Sequence, residues 1–331
     1  MAAINWTQIT GEKEKSGVRP INLRHDSRQI IKLLELVFNQ ELRGSARHAI
    51  SQSYGLWERL THGKPAVPGF VYEHNGYVVG NVSLLESRTK GRYLIANVAV
   101  HPDFRRRGIA EKMMQSLVNY TRKRSGKKLV LQVEAENEGA IKLYANLGFG
   151  CIGTTKQWRM NAYNLKSVYV PQPNNRYSPD QFGSLRIRPL RDGDRRAALT
   201  LDRETFPLEM NWPDYPVEQL YSVGFLQRIN HFFYGSQRET WVLADENDKL
   251  RGLGTIENRL GLPYLISMRI DPAWTVPGER ILFGKLVRRL RYMRPKRIHV
   301  HQIKSHASLE SLILEAGFKH KRTLDTMVLD L

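Results

Sequence analysis

Apolar residues recur at helical spacing from Ile30 to Phe38 (Ile30, Ile31, Leu33, Leu34, Val37, Phe38), which predicts a helix with one face on a core. Val18 to Asp26, just before it, reads as a short strand whose final Asp26 is placed to cap that helix. A second helical piece, residues 39–63, carries Tyr54 and Trp57. The pattern then changes to β. Gly69 to Leu85 reads as two strands joined by Asn75-Gly76, a pair that tolerates the positive φ angles of a tight turn. Tyr93-Leu-Ile-Ala-Asn-Val-Ala-Val100 follows as an apolar strand, and a helix with Met113, Met114, Leu117, Val118 and Tyr120 on one side comes after it. A strand from Lys128 to Glu134 and a helix ending at Gly148-Phe149 complete the series.

Between the Tyr93 strand and its helix lies a basic glycine turn, Arg105-Arg-Arg-Gly108-Ile-Ala110. Successive backbone N–H groups at a helix N-terminus converge on one point, where the helix dipole also favours negative charge. A pyrophosphate suits that place.

At these residues the sequence resembles the GNAT family of N-acetyltransferases, which use acetyl-CoA. Arg105, Gly108 and Ala110 fit the family's loop pattern of Gln or Arg, two free positions, Gly, one free position, then Gly or Ala. Asn97-Val-Ala-Val100-His-Pro is similar to its splayed fourth strand, and Asn137-Glu-Gly-Ala-Ile-Lys-Leu-Tyr144-Ala-Asn-Leu-Gly148-Phe149 to its second motif. The resemblance implies an α+β fold with a mixed sheet. It implies that Val98, Ala99 and Val100 pair with a pantetheine arm. It also implies that Arg105, Arg106, Arg107, Gly108, Ile109, Ala110 and Glu111 hold the pyrophosphate, that Asn137 reaches the cofactor side, and that Tyr144 is the general acid.

The second half repeats the first. Arg188-Pro189 echoes Arg19-Pro20 at a spacing of 169 residues, Tyr264 to Pro272 echoes Tyr93 to Pro102, and Gly317-Phe318 echoes Gly148-Phe149. These anchors, in order, predict two tandem GNAT (acyl-CoA N-acyltransferase) domains: a catalytic domain at 1–166, a Pro- and Asn-rich linker at 167–184, and a second domain at 185–331. Opposite Arg105 to Ala110 the second copy has Thr275-Val-Pro-Gly278-Glu-Arg280. Pro277 removes a backbone donor, Glu279 brings a carboxylate to a phosphate position, and Arg280 replaces the small residue. His306 stands opposite Asn137 and Ile313 opposite Tyr144. The second domain is therefore expected to be degenerate.

Composition narrows the class. The chain has 331 residues, 41% hydrophobic and 25% charged, enough for two cores. No apolar run approaches the roughly 20 residues of a membrane span, and Met1 to Lys15 has no signal-type apolar segment, so a cytoplasmic location is expected. Cys151 is the one cysteine, which leaves no internal disulfide or CxxC metal knuckle. Entering a strand after a Gly-Phe-Gly turn, it reads as buried filler. Net charge is +19, compatible with CoA phosphates, an acidic substrate or nucleic acid. Arg288-Arg-Leu-Arg-Tyr-Met-Arg294-Pro-Lys-Arg297 motivates the rival of a nucleic-acid-binding protein on a GNAT scaffold, with few aromatics to support it.

Acetyl transfer needs a neutral attacking amine and a proton for the departing thiolate. The family's carboxylate bases are unmatched here, since Leu94 and Gln132 occupy their places. Glu134, on the same strand face as Gln132, is the remaining base candidate. A lysine ε-amine, with a pKa of about 10.4, needs strong help to deprotonate, whereas an α-amine near 7.7 to 8.0 needs little. The expected reaction joins acetyl-CoA and a low-pKa amine, such as a peptide N-terminus or an amino-sugar-like metabolite, without a metal. Transfer of a longer acyl group is the alternative within the enzyme class, and either a monomer or a homodimer fits.

Overall fold

A computed structural model describes residues 16–38, 69–161, 164, 185–223, 236–259, 261–303 and 307–331. The expected helical piece with Tyr54 and Trp57, the linker at 167–184, and His306 lie outside the described residues.

In chain order the strands and helices are β1 (Ser16–Pro20), α1 (Leu23–Val37), β2 (Gly69–His74), β3 (Tyr77–Glu86), β4 (Arg92–Val100), α2 (Ile109–Lys123), β5 (Lys128–Glu134), α3 (Glu138–Asn146) and β6 (Gly150–Met160). They continue with β7 (Arg186–Pro189), α4 (Arg195–Thr205), β8 (Ser236–Ala244), β9 (Leu250–Arg259), β10 (Tyr264–Ile270), α5 (Thr275–Leu290), β11 (Ile298–Ile303), α6 (Ala307–Glu315) and β12 (Lys319–Asp330). The chain divides into two compact units. The first holds Met1–Gln132, Lys142–Gly150 and Val328–Leu331; the second holds Val133–Ile141 and Cys151–Met327.

In the first unit the strand order is β1-β2-β3-β4-β5. β2 and β3 form the hairpin the sequence predicts, with Asn75 at φ 50° and Gly76 at φ 81°, both in the left-handed region that a two-residue turn demands. β4 then runs parallel to β5. Two helices flank these strands. Ile30, Leu33 and Leu34 of α1 bury themselves with Ile21, Val71, Val78 and Ala99. Met113, Met114, Leu117 and Val118 of α2 are buried as their spacing predicts. Val328 packs with Leu94 and Val130 in a further cluster, and the Leu331 amide donates to the Lys127 carbonyl at 2.9 Å.

In the second unit the order is β6-β11-β10-β9-β8-β7. β6 pairs antiparallel with β11 from Ile303↔Thr155 to Ile298↔Met160, and its Trp158 and Met160 enter a core made with α5 and α6. The expectation for Cys151 fails, because it is exposed. Gly150 to Ile152 at the start of β6 are exposed, and the side chains of that strand are buried only from Thr155 onward.

The sequence repeat is also a structural one. Arg19 at the end of β1 forms a two-pronged pair with Asp26, Nη1 to Oδ2 at 2.7 Å and Nη2 to Oδ1 at 2.9 Å. Arg188 at the end of β7 does the same with Asp194, at 2.7 and 3.1 Å. In both places the carboxylate also accepts a nearby backbone N–H, from Asn22 and from Arg191, each at 2.7 Å. Asp26 is therefore not the helix cap. Asn22 takes that position, its Oδ1 accepting from the Arg24 amide, while Asp26 is one turn inside and buried.

Burial pushes the Asp26 carboxyl up, but the Arg19 guanidinium and the Asn22 amide outweigh it, and the group is held below the usual carboxylate range. A depressed carboxyl contributes stability that is present above its unfolded value, near 3.9, and is lost as pH falls through the lower folded value. Asp26→Asn breaks this pair and should cost roughly 2–3 kcal/mol at neutral pH, less than a fully buried pair because Arg19 remains about a third exposed. Urea unfolding checks it: the deficit should shrink below about pH 4, and a deficit independent of pH would refute the assignment.

Candidate active site

Within the first unit, the strand that precedes the glycine turn is bent by a bulge. β3 and β4 pair at Asn81↔Ala99 and again at Ser83↔Ala96, so Asn97 and Val98 together face Val82. Asn97 adopts φ 54°, as a bulge residue on that strand requires. On the other edge, β4 pairs with β5 only from Arg92↔Lys128 to Ile95↔Leu131. Past Ile95 the two parallel strands part, and Val98 to Val100 have no ladder partner on β5. The expected splay at Val98, Ala99 and Val100 is thus a register change with a local cause.

That cause includes side chains the sequence reading missed. Asn81 is fully buried, and its Nδ2 donates to the Asn97 carbonyl at 2.8 Å and to Ser83 Oγ at 3.3 Å. Asn97 Nδ2 reaches the same hydroxyl at 3.3 Å. Asn81 and Ser83 clasp the bulge from the β3 side, with Asn97 meeting them from β4. Asn81 Oδ1, also buried, has no hydrogen-bond partner among the described residues. The available signal was polar residues inside apolar strands, Asn81-Val-Ser83 and Asn97, where a β-ladder alone gives them nothing to do.

After β4, a single 3-10 turn at Pro102–Phe104 leads into the loop. Arg105 Nε donates to the Val100 carbonyl at 3.3 Å. Arg107 lies over the buried Phe104 ring at 5.0 Å from its centroid and donates to the Asp103 carbonyl at 3.0 Å. Arg106 at φ 64° and Gly108 at φ 72° are left-handed, and Gly108 is the N-cap of α2 without a side-chain cap. The first bond into the helix is from the Lys112 amide to the Gly108 carbonyl, 3.0 Å. The amides of Arg106, Arg107, Gly108, Ile109, Ala110 and Glu111 find no acceptor among the described residues. Buried Ile109 and Met113 hold the helix close to β3: a Cβ on Gly80 would lie 3.0 Å from Ile109 Cγ2 and 2.9 Å from Met113 Cε. The cradle is open, since a Cβ on Gly108 would meet nothing within 4 Å. Converging free donors at a helix N-terminus fit an anionic phosphate group.

Tyr144 on α3 is 5% exposed, with its ring centroid 6.0 Å from that of Phe149. Burial pushes its hydroxyl up to about 12, so it keeps its proton at neutral pH. Glu134 ends β5 as an exposed side chain. Asn137 caps α3, its Oδ1 accepting from the Ala140 amide at 3.1 Å, so that oxygen is committed locally. The loop and Tyr144 belong to the first unit, whereas Glu134 and Asn137 fall in the second.

The second copy builds its counterpart differently. β10 pairs with β11 from Tyr264↔Ile298 only to Ser267↔His301, and Pro272–Trp274 repeats the 3-10 turn. The helix then starts at once, at Thr275, with φ −55° and ψ −59°, and no residue of the following turn is left-handed. A Cβ on Gly278 would come within 3.0 Å of Ile270 and 3.2 Å of Leu243. Glu279 does not project into an open loop as the sequence suggested. It is buried at 3% exposure and accepts from Ser308 Oγ at 2.6 Å. Ile313, fully buried, stands at the Tyr144 position. Helical turn and side chains occupy what is an open cradle in the first unit.

Among the described residues no group of three or more His, Cys, Asp or Glu could hold a metal ion, and no helix is long and apolar enough to cross a membrane.

The model of the acetyltransferase (GNAT) family matches residues 33–149. The chain is 38% identical over 96 residues to an uncharacterized N-acetyltransferase of Methanocaldococcus jannaschii, spanning 42% of that protein and 27% of this one. It is 32% identical over 112 residues to N-alpha-acetyltransferase 30 of Schizosaccharomyces pombe, spanning 71% of that protein and 32% of this one. The chain therefore spans under half the length of the first relative. Among solved structures, a tandem GNAT protein from the clavulanic acid biosynthesis pathway superposes with a TM-score of 0.55 at 15% identity, covering 96% of this chain and 98% of the other.

Proposed function

From the premise that this chain belongs to the acetyltransferase (GNAT) family, we propose that it moves an acetyl group from acetyl-CoA to a primary amine of low pKa, and that its first copy alone does so. One observation carries the reading: the amides of Arg106 to Glu111, in the loop and first turn of α2, find no acceptor among the described residues, and they follow a strand that pairs with β5 only as far as Ile95. Pyrophosphate oxygens would take the amides of Arg106 to Glu111, with Arg105 and Arg107 braced on backbone carbonyls beside them. The pantetheine amides would pair with the β4 edge at Val98 to Val100.

Bound acetyl-CoA supplies an activated thioester. The protein's part is to hold that carbonyl near the acceptor and to manage two protons. As the amine nitrogen bonds to the acyl carbon, the carbon–sulfur bond breaks, and Tyr144 gives its proton to the departing sulfur. Water takes the proton that the amine loses. An α-amine asks little of such a base. The fission yeast relative, whose name specifies α-amino acetylation, supports a peptide N-terminus as the acceptor class.

Calorimetric titration with acetyl-CoA tests the reading. One site per chain is expected, followed by faster acetylation of peptides with a free N-terminus than of N-terminally blocked lysine peptides. Two sites would reject the degenerate second copy, and preference for lysine would reject the low-pKa acceptor.

A further inference from the structure

From Arg280 to Leu309 the chain carries nine lysines and arginines and neither aspartate nor glutamate. α5 ends in this run, and a tight turn follows in which the amides of Arg291 and Tyr292 donate to the carbonyls of Arg288 and Arg289 at 3.3 and 3.1 Å. Some of these cations have partners inside the second unit. Lys285 Nζ lies 3.9 Å from the Trp241 ring centroid, Arg289 pairs with Glu239 at 2.7 Å, and Lys296 donates to Asn258 Oδ1 at 2.7 Å. Arg288, Arg294 and Arg297 are different. They are exposed and have no ion-pair or side-chain hydrogen-bond partner among the described residues.

Tyr292 stands among them at 80% exposure, the most exposed large apolar side chain of the described residues. Cations at a helix C-terminus offset the helix dipole, which accounts for Arg288. It does not account for Arg294 and Arg297, which lie beyond the helix, or for an uncovered phenol ring beside them. The positive field reaches further along the strand that follows. His299 of β11 is pushed down to about 4 by burial and by Lys321, Arg297, Arg322 and Arg159, and His301 likewise by burial, His299, Arg322, Lys321 and Arg269.

Exposed guanidiniums for phosphates, within five residues along the chain of an exposed aromatic ring for a base, match one ligand chemistry. We propose that this end of α5 docks single-stranded nucleic acid, with phosphates on Arg288, Arg294 and Arg297 and one base stacked on Tyr292. A duplex offers no open base face to the ring, and a membrane surface would leave the ring's stacking face unused. The proposal does not depend on the acetyl-transfer reading.

Fluorescence anisotropy of labelled U and dT dodecamers with the full chain tests it, between about 50 and 200 mM salt. Three phosphate contacts predict a log–log salt slope of about −2, at about 0.7 per contact on single strands. Tyr292→Ala should weaken binding about tenfold at fixed salt and leave the slope unchanged, since stacking is not ionic. Thermal unfolding and acetyl transfer should not change. Arg294→Glu with Arg297→Glu should lower affinity and flatten the slope. Stronger binding of either the U or the dT strand supports the site and tells which nucleic acid it prefers. Equal binding by wild type and Tyr292→Ala overturns it, as bare polyanion attraction needs no ring. Retention on phosphatidylserine vesicles without oligonucleotide binding overturns it as well.

Discussion

Replacing Tyr144 by phenylalanine is expected to lower turnover about 10²- to 10⁴-fold while acetyl-CoA affinity stays nearly unchanged. The change is a clean one. The ring keeps its packing against Phe149, and the hydroxyl makes no hydrogen bond to a described residue, so only the hydroxyl and its proton are removed. The pH profile gives a second reading of the same group. A phenol at its ordinary value would be half deprotonated at about pH 10. Burial pushes this one up to about 12, so the protonated, active form should persist through the alkaline range. The wild-type rate should therefore show no alkaline decline from this group as pH approaches 10. Steady-state kinetics of the two proteins from pH 6 to 10 would decide, and equal turnover at every pH would remove Tyr144 from the reaction.

Gly108→Val should weaken acetyl-CoA binding by roughly 5- to 150-fold. That range corresponds to about 1–3 kcal/mol of strain for a side chain forced into the left-handed region. The valine would strike nothing, because the space around the Cβ position is empty. The loss is conformational: at φ 72° a β-branched residue is disfavoured, and relaxing it turns the loop amides away from their common focus. Gly108→Asn separates this from a steric account, since asparagine tolerates the left-handed region and should retain most of the affinity. Calorimetry on the three proteins checks both. Equal affinity for the valine variant would mean that the loop does not hold the pyrophosphate.

The secondary structure was legible wherever a residue's own conformational preference decides it. Asn75-Gly76 announced a two-residue turn, Gly108 a turn into α2, and Met113, Met114, Leu117 and Val118 the face of that helix. The repeat could be read because the same chemistry recurs, and Arg19–Asp26 and Arg188–Asp194 proved to be matching pairs. Features that depend on which strand lies alongside were not legible. Nothing in Asn81 or Asn97 alone says that their amides meet across a register slip, although that slip parts β4 from β5. Cys151 followed an apolar turn and was expected inside, yet its burial depended on what faces the first residues of β6. The sequence placed Glu279 on the path of a phosphate; the side chain instead turned to Ser308, because the counterpart loop winds into helix and carries it inward.

The four residues Val328–Leu331 complete the first unit, with Val328 against Leu94 and Val130 and the Leu331 amide on Lys127. A ribosome releases β4 and β5 nearly two hundred residues before it makes that closing segment. Through this interval the apolar surfaces of Leu94 and Val130 wait uncovered, and the unit carrying the phosphate cradle reaches its final form only after the whole of the other has been synthesised. For this protein, the order of synthesis and the order of completion run in opposite directions.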